Sequence, residues 1–270
     1  MAIQEWNKFL LPYEQAVEEL KIKFKGIRNA LRKAGEYSPI EFTTGRVKKI
    51  SSILEKAKKM EIGVSDIENK MEDIAGIRII CQMVEDIYRV VDLVKQRDGR
   101  DLTIINEKDY VKNTKPSGYR SYHIIISYPV QTAQGEKKIL AEIQIRTLAM
   151  NFWATIEHSL NYKYKHNLPE DVKKRLISAA EAAFSLDEEM SAIHHEVVGA
   201  QKTFQVKSHL VSAILQGINT LYFSGKNEEV FRFQERFNYL LSREENDLQF
   251  KQLADEVSAS LANYGLLPRG

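Results

Sequence analysis

The chain has 270 residues, 28% of them charged and 43% hydrophobic, with a formal net charge of +2. That balance is ordinary for a soluble globular fold and supplies no global basic field, so any site for a polyanion has to come from local clustering. Cys81 is the single cysteine, which excludes an internal disulfide and a cysteine-based zinc site and fits a reducing cytosol.

Glu5, Lys8, Glu14, Glu18 and Glu19 break up the N-terminal segment, so no signal-peptide core is expected there. No apolar run approaches the roughly 18 residues that a membrane span needs. A cytoplasmic protein without membrane contact is expected.

Trp6, Phe9, Leu10, Tyr13, Val17, Leu20, Phe24, Ile27 and Leu31 recur at helical spacing and predict a long amphipathic first helix. A second helix is predicted from about Arg46 to Met60. Val47, Ile50, Leu54, Ala57 and Met60 form its apolar side, while Lys48, Ser52, Lys56 and Lys59 line up on another. Ser65-Asp-Ile-Glu68 has the capping-box pattern and predicts a short helix. Asp73–Cys81 then reads as a strand, Asp86–Arg97 as a helix and Leu102–Asn106 as a strand. Tyr122–Val130 and Lys137–Thr147 predict a hairpin turning across residues 132–136. From Leu148 onward the pattern is helical. Pro169 suits the first turn of a long helix running through Val172, Leu176, Met190 and Val197. Breaks near Gly225 and Ser242 divide the C-terminal stretch beyond it into two or three helices.

Three groups of residues carry candidate chemistry. Asp73 and Glu142 each set one carboxylate into an apolar β pattern; brought together on neighbouring strands, they could hold Mg²⁺. The alternative for each is a solvated acid at a strand edge. Glu142, Gln144 and Arg146 share one strand face opposite Ile143 and Ile145, and such a polar face is costly to bury unless it is paired or used. Arg46, Lys48, Lys49, Lys56, Lys58 and Lys59 form a cation cluster opposed by Glu55 alone. It is either a solvated helix face or, with Ser52 among the lysines, a triphosphate cradle. Arg78 could stack on a base or clamp phosphate. In Lys115–His123, Ser117-Gly118 permits a tight turn that could present the Tyr119 ring to a purine, the alternative being a core tyrosine. His123 could meet phosphate, transfer a proton or pack within the strand, and of the first two phosphate contact is favoured. If stacking is the whole role of Tyr119, a phenylalanine there should serve nearly as well. The chain has no P-loop and no Gly-x-Gly-x-x-Gly fingerprint. His194 and His195 are adjacent on a helix and make a poor metal pair, and His158 and His166 lack partners at metal spacing.

Thr44-Gly-Arg-Val-Lys48, Asp73-Ile-Ala-Gly-Ile-Arg78, Ser117-Gly-Tyr-Arg-Ser-Tyr-His123, Glu142-Ile-Gln-Ile-Arg-Thr-Leu148 and Asn151-Phe-Trp-Ala-Thr-Ile-Glu-His158 together resemble the synthetase domain of the RelA/SpoT homologue family. The likeness spans roughly residues 3 to 204 and is greatest to the stand-alone small alarmone synthetases of the RelQ type. It implies an enzyme that moves the β,γ-pyrophosphate of ATP onto the 3′-hydroxyl of GTP or GDP, releasing AMP and forming pppGpp or ppGpp. It further implies that Asp73 and Glu142 hold Mg²⁺, with Glu142 drawing the hydroxyl proton. Arg46 and Arg78 would sandwich adenine, and Lys48, Ser52, Lys56 and Lys59 would hold the ATP phosphates. Tyr119 would stack on guanine, Lys108, Lys115 and His123 would meet the guanosine phosphates, and Gln144 would lie beside the acceptor. Such chemistry is mostly positioning and charge neutralisation. Lys108 stands where relatives often carry Arg, Lys49 replaces an expected proline, and Pro116 occupies an often acidic position.

The resemblance implies an α/β fold: a nucleotidyltransferase-like mixed sheet of about five strands flanked by helices, occupying residues 1–204. Residues 205–270 fall outside the resemblance, and their apolar spacing alone predicts a helical extension, with no role assigned to it. It implies synthesis without hydrolysis, because the His-Asp hydrolase motif is absent. It also implies a homotetramer whose central cleft takes the alarmone pppGpp as activator through Lys25, Phe42, Thr44 and Asn151. The rivals are a toxin that pyrophosphorylates adenine nucleotides or tRNA on the same fold, and a tetramer that binds single-stranded RNA.

Overall fold

The computed structural model describes residues 3–164, 168–242 and 247–266. The chain forms two compact units, Met1–Ala192 and Ile193–Gly270.

The first unit opens with α1 (Ile3–Lys33) and continues through β1 (Phe42–Val47), α2 (Ile50–Lys59), a 3₁₀ turn (Val64–Asp66), α3 (Ile67–Lys70) and β2 (Ala75–Cys81). After α4 (Val84–Lys95) come β3 (Thr103–Asp109), β4 (Tyr122–Thr132) and β5 (Gly135–Thr147), then α5 (Leu148–Lys163) and the start of α6 (Glu170–Phe223). The strands form one sheet in the order β1-β2-β5-β4-β3. Only β2 and β5 run parallel; the other neighbours are antiparallel. The mixed five-stranded sheet flanked by helices agrees with the expected fold class.

Period-2 alternation gives the sheet its two characters. Ile77 and Ile79 of β2, Ile124 and Ile126 of β4, and Ile143 and Ile145 of β5 are sealed in the main core. Tyr13, Leu20 and Phe24 of α1 and Ile87, Val90 and Val94 of α4 belong to the same cluster and cover that face. On the opposite face, register brings Thr44, Arg78, Gln144, His123 and Lys108 into one row across all five strands.

Several local readings change. The expected helix from Arg46 starts instead at Ile50, because Arg46 belongs to β1. That strand crosses close under α1: a Cβ on Gly45 would sit 2.7 Å from Val17 and 2.9 Å from Ile77. The Ser65 capping box does not form; Gly63 and Asp66 are the cap residues and neither makes a side-chain cap bond, although the short helix is present. The hairpin turn is tighter than expected, since Thr132 already pairs with Gly135.

In the second unit the C-terminal part of α6 packs with α7 (Asn227–Ser242) and α8 (Asp247–Asn263). Ile214, Ile218 and Leu221 of α6 meet Phe233, Phe237 and Leu240 of α7 and Phe250, Leu253, Val257 and Leu261 of α8 in a separate core. The helix boundaries fall at the breaks expected near Gly225 and Ser242. No described helix is long and apolar enough to cross a membrane.

Candidate active site

A cleft of about 290 Å³ opens over the polar face of β1, β2 and β5, lined by Thr44, Arg46, Lys48, Asp73, Arg78, Glu142 and Gln144 among others. Asp73 lies two residues before β2, and the parallel pairing of Gly76 with Glu142 brings it into one cleft with the carboxylate of β5. Lys48 Nζ and Lys56 Nζ both reach Asp73 Oδ2, at 2.7 and 2.9 Å. Burial opposes the charge of Asp73, but these two ammonium groups prevail and hold its carboxyl below the ordinary range. Its other oxygen, Oδ1, is buried with no hydrogen-bond partner among the described residues. A buried carboxylate oxygen left open in this way is costly unless something binds there.

Glu142 is held at both oxygens. His123 Nδ1 lies 2.8 Å from Oε1, and Gln144 Nε2 donates to Oε2 at 2.8 Å. Burial raises its pKa and the charge of Asp73 adds to that, yet the bonds from His123 and Gln144 leave it lowered overall. The carboxylate accepts from Nδ1–H of His123, so Nε2 of a neutral ring is an acceptor and takes the Tyr119 hydroxyl at 2.8 Å. Arg146 closes the circuit by donating to Gln144 Oε1 and placing its guanidinium 5.7 Å from the Tyr119 ring. Only 3% exposed, Arg146 has its pKa pushed down to about 10, first by burial, although Tyr119 and Glu142 favour its charge.

The other expected residues are distributed unevenly. Burial and the charge of Arg46 lower the pKa of Arg78. Ser52 is half-buried on α2, and Lys59 pairs with Glu55 at 3.0 Å. Lys108 pairs with His123 in register but is exposed. Lys115 sits 4.3 Å over the Tyr110 ring and 5.0 Å over that of Tyr119. Both ring nitrogens of His123 are engaged, so a phosphate contact there requires one of those bonds to open. Lys25 and Phe42 share a separate cleft of about 450 Å³ with Lys21 and Arg28. Thr44 lines the central cleft instead, and Asn151 lies on α5 with Oδ1 buried and unpartnered. His166 is outside the described residues.

Sequence reasoning missed Tyr110, whose ring meets His123 edge-on at 5.2 Å. It also gave no role to Arg120, which is joined to Glu181. Tyr110 and Glu181 lie outside the motifs, and only the fold brings them in.

Residues 45–167 match the family model described as the region found in RelA / SpoT proteins. GTP pyrophosphokinase YjbM of Bacillus subtilis is 57% identical over 204 residues, covering 76% of this chain and 95% of that protein. The crystal structure of small alarmone synthetase 1 from Bacillus subtilis bound to its product pppGpp is 58% identical, covers 72% of this chain and 98% of its own, and superposes with a TM-score of 0.69. The same protein bound to AMPCPP gives 54% identity, coverage of 73% and 99%, and a TM-score of 0.64. With the carboxylate pair, the cation cluster and the tyrosine tract all in the matched region, the chain belongs to the RelA/SpoT family, among its small alarmone synthetases.

Proposed function

We infer that the protein is a (p)ppGpp synthetase that transfers the β,γ-pyrophosphate of ATP to the 3′-hydroxyl of GTP or GDP and releases AMP. The observation that carries this reading is the pair Asp73 and Glu142 in one cleft with Arg46, Lys48 and Arg78. It is supported by 57% identity to a protein named GTP pyrophosphokinase.

Each residue contributes to charge placement. Lys48 and Lys56 supply mobile positive charge where the triphosphate lies, with Ser52 and Lys59 further along α2. Arg46 and Arg78, diagonal neighbours on β1 and β2, flank the adenine. Tyr119 stacks on guanine, and Lys115 and Lys108 meet the acceptor's phosphates. Gln144 and His123 hold Glu142 ionised and oriented, so the carboxylate is free of protons at neutral pH and takes the one leaving the 3′-hydroxyl.

The donor set suits Mg²⁺. Asp73 Oδ1 is the open buried acceptor, and no group of three or more His, Cys, Asp or Glu side chains gathers for a metal among the described residues. An ion held by Asp73 and Glu142 would complete its shell from phosphates and water, as Mg²⁺ commonly does. When bound it would neutralise the phosphate charge and align the reacting groups.

The assembly is proposed as a cytoplasmic homotetramer. The Lys21, Lys25, Arg28 and Phe42 cleft offers cations and an aromatic ring to a pppGpp activator; binding of single-stranded RNA to such a tetramer is tested by filter retention. The activity itself is tested by incubating the purified protein with Mg-ATP and, separately, GTP, GDP, ATP or tRNA, and identifying products by mass. Pyrophosphorylated guanosine nucleotide is the expected product; modification of ATP or tRNA alone would overturn the reading.

A further inference from the structure

The tract that carries Tyr119 is seated on the first part of α6. Gly118 has φ of +85°, and a Cβ there would meet Ala180 Cβ at 2.5 Å, so loop and helix touch without room for a side chain. Two residues on, Arg120 is only 9% exposed. Its guanidinium lies 4.2 Å over the Phe184 ring, and one nitrogen donates to both Glu181 carboxylate oxygens at 3.2 and 3.1 Å. Between them, Tyr119 packs, as Ala183 does, against the cluster of Trp153, Ala154 and Ala180. Trp153 Nε1 donates to the Leu176 carbonyl at 2.8 Å, tying α5 to the same stretch of α6. Three consecutive residues are therefore gripped in different ways: Gly118 by close approach, Tyr119 by apolar packing, and Arg120 between a phenyl ring and a carboxylate.

We propose that the α6 stretch 177–184 fixes the Tyr119 platform for the acceptor base, with Arg120 and Glu181 as positioning residues specific to the acceptor. The inference rests on the reading of Tyr119 as that platform. A stacking surface contributes its full affinity only if its position is set before the ligand arrives, because ordering a loop on binding is subtracted from the gain. Arg120 supplies that order at the loop's C-terminal side. Its planar guanidinium can lie flat on Phe184 while meeting the Glu181 carboxylate, a combination that a lysine cannot reproduce. Neither Arg120 nor Glu181 lines the cleft that holds Lys48 and Asp73, so ATP should not sense them.

The test is steady-state kinetics on full-length Glu181→Gln, Glu181→Asp, Arg120→Lys and Tyr119→Ala, varying GTP at fixed ATP and then the reverse. Glu181→Gln and Arg120→Lys are expected to raise KM for GTP roughly three- to tenfold, in keeping with a modest ordering cost. KM for ATP and the thermal midpoint should stay unchanged, and Glu181→Asp should recover most of the loss. Glu181 is 57% exposed, so its variants fold even if those of Arg120 do not. If Tyr119→Ala raises KM for GTP while Glu181→Gln changes nothing, the positioning role fails and the platform stands. If Tyr119→Ala leaves KM for GTP unaltered, the platform reading fails and takes this inference with it. An equal rise in both KM values with a lowered thermal midpoint would mark a merely structural contact and overturn the proposal.

Discussion

Replacing Tyr119 with phenylalanine separates the ring from its hydroxyl. The ring is retained, so stacking on guanine should survive and KM for GTP should stay near wild type. The hydroxyl, however, donates to His123 Nε2 at 2.8 Å, in a histidine that is only 8% exposed. Its loss leaves that nitrogen without a donor and removes the constraint that keeps the proton on Nδ1, facing Glu142. A buried polar atom stranded in this way costs about 1–3 kcal/mol. If that cost falls on the transition state through a misaligned Glu142, turnover drops roughly 5- to 150-fold. Tyr119→Ala adds the loss of stacking, about 1–3 kcal/mol in acceptor affinity. Initial-rate measurements at saturating ATP with GTP varied resolve the two effects: Phe lowers kcat, whereas Ala lowers kcat and raises KM. A Phe variant with wild-type kcat would show that the Tyr119–His123–Glu142 chain does not support the reaction and would refute this reasoning.

Three further outcomes are expected. Asp73→Asn and Glu142→Gln should each lower turnover at least about a hundredfold, the scale of losing a main electrostatic contributor, with folding intact by circular dichroism; near-normal rates would remove both from the chemistry. Asp187 is buried against Thr147, and burial pushes its pKa up to about 6 from an ordinary 3.8, although the Thr147 bond works the other way. The folded state then binds more protons than the unfolded one between those values, so stability falls as pH rises across that window. Asp187→Asn should flatten this slope, with a gain of up to about 3 kcal/mol near pH 7.5 and little difference at pH 4, read by urea unfolding; parallel profiles for the two proteins would contradict it. In the second unit a Cβ on Gly217 would come within 2.2 Å of Val257. Gly217→Leu should destabilise that helical unit by about 1–3 kcal/mol while leaving turnover in place, measured by calorimetry alongside product formation.

The central strands and their two acids were legible because an acid inside an alternating Ile pattern is a local signal. Ile77, Ile79, Ile143 and Ile145 declare their face, and Asp73 and Glu142 stand out against it. β1 was not legible. Phe42–Val47 is a half-exposed edge strand with a glycine in it, and the cations after it impose a helical spacing which begins too early. The lysine alignment was partly misleading for the same reason: Lys48 precedes the helix yet reaches Asp73, while Lys59, on the helix, pairs with Glu55. The cations around the Tyr119 ring could be anticipated from the tract, but its hydroxyl partner could not, because His123 comes within reach only when the tract folds back on β4. Arg120 gave no hint because its partner Glu181 is 61 residues away and sits among other solvated acids of α6.

Among the strand pairs of the described sheet, the one that runs parallel, β2 with β5, bears on how the molecule comes to exist. β3, β4 and β5 can zip as neighbours along the chain, and β1 with β2 likewise, so each group closes with modest loop entropy. Joining them requires β5 to find β2 across an intervening helix and two strands, the kind of distant contact that slows folding. Asp73 and Arg78 belong to one group, Glu142 and Gln144 to the other. These four side chains therefore meet only when the most sequence-distant pairing in the sheet has formed. A chain that has folded only in part carries both halves of the cleft apart from one another, so Asp73 and Glu142 come to line it together only in the finished sheet.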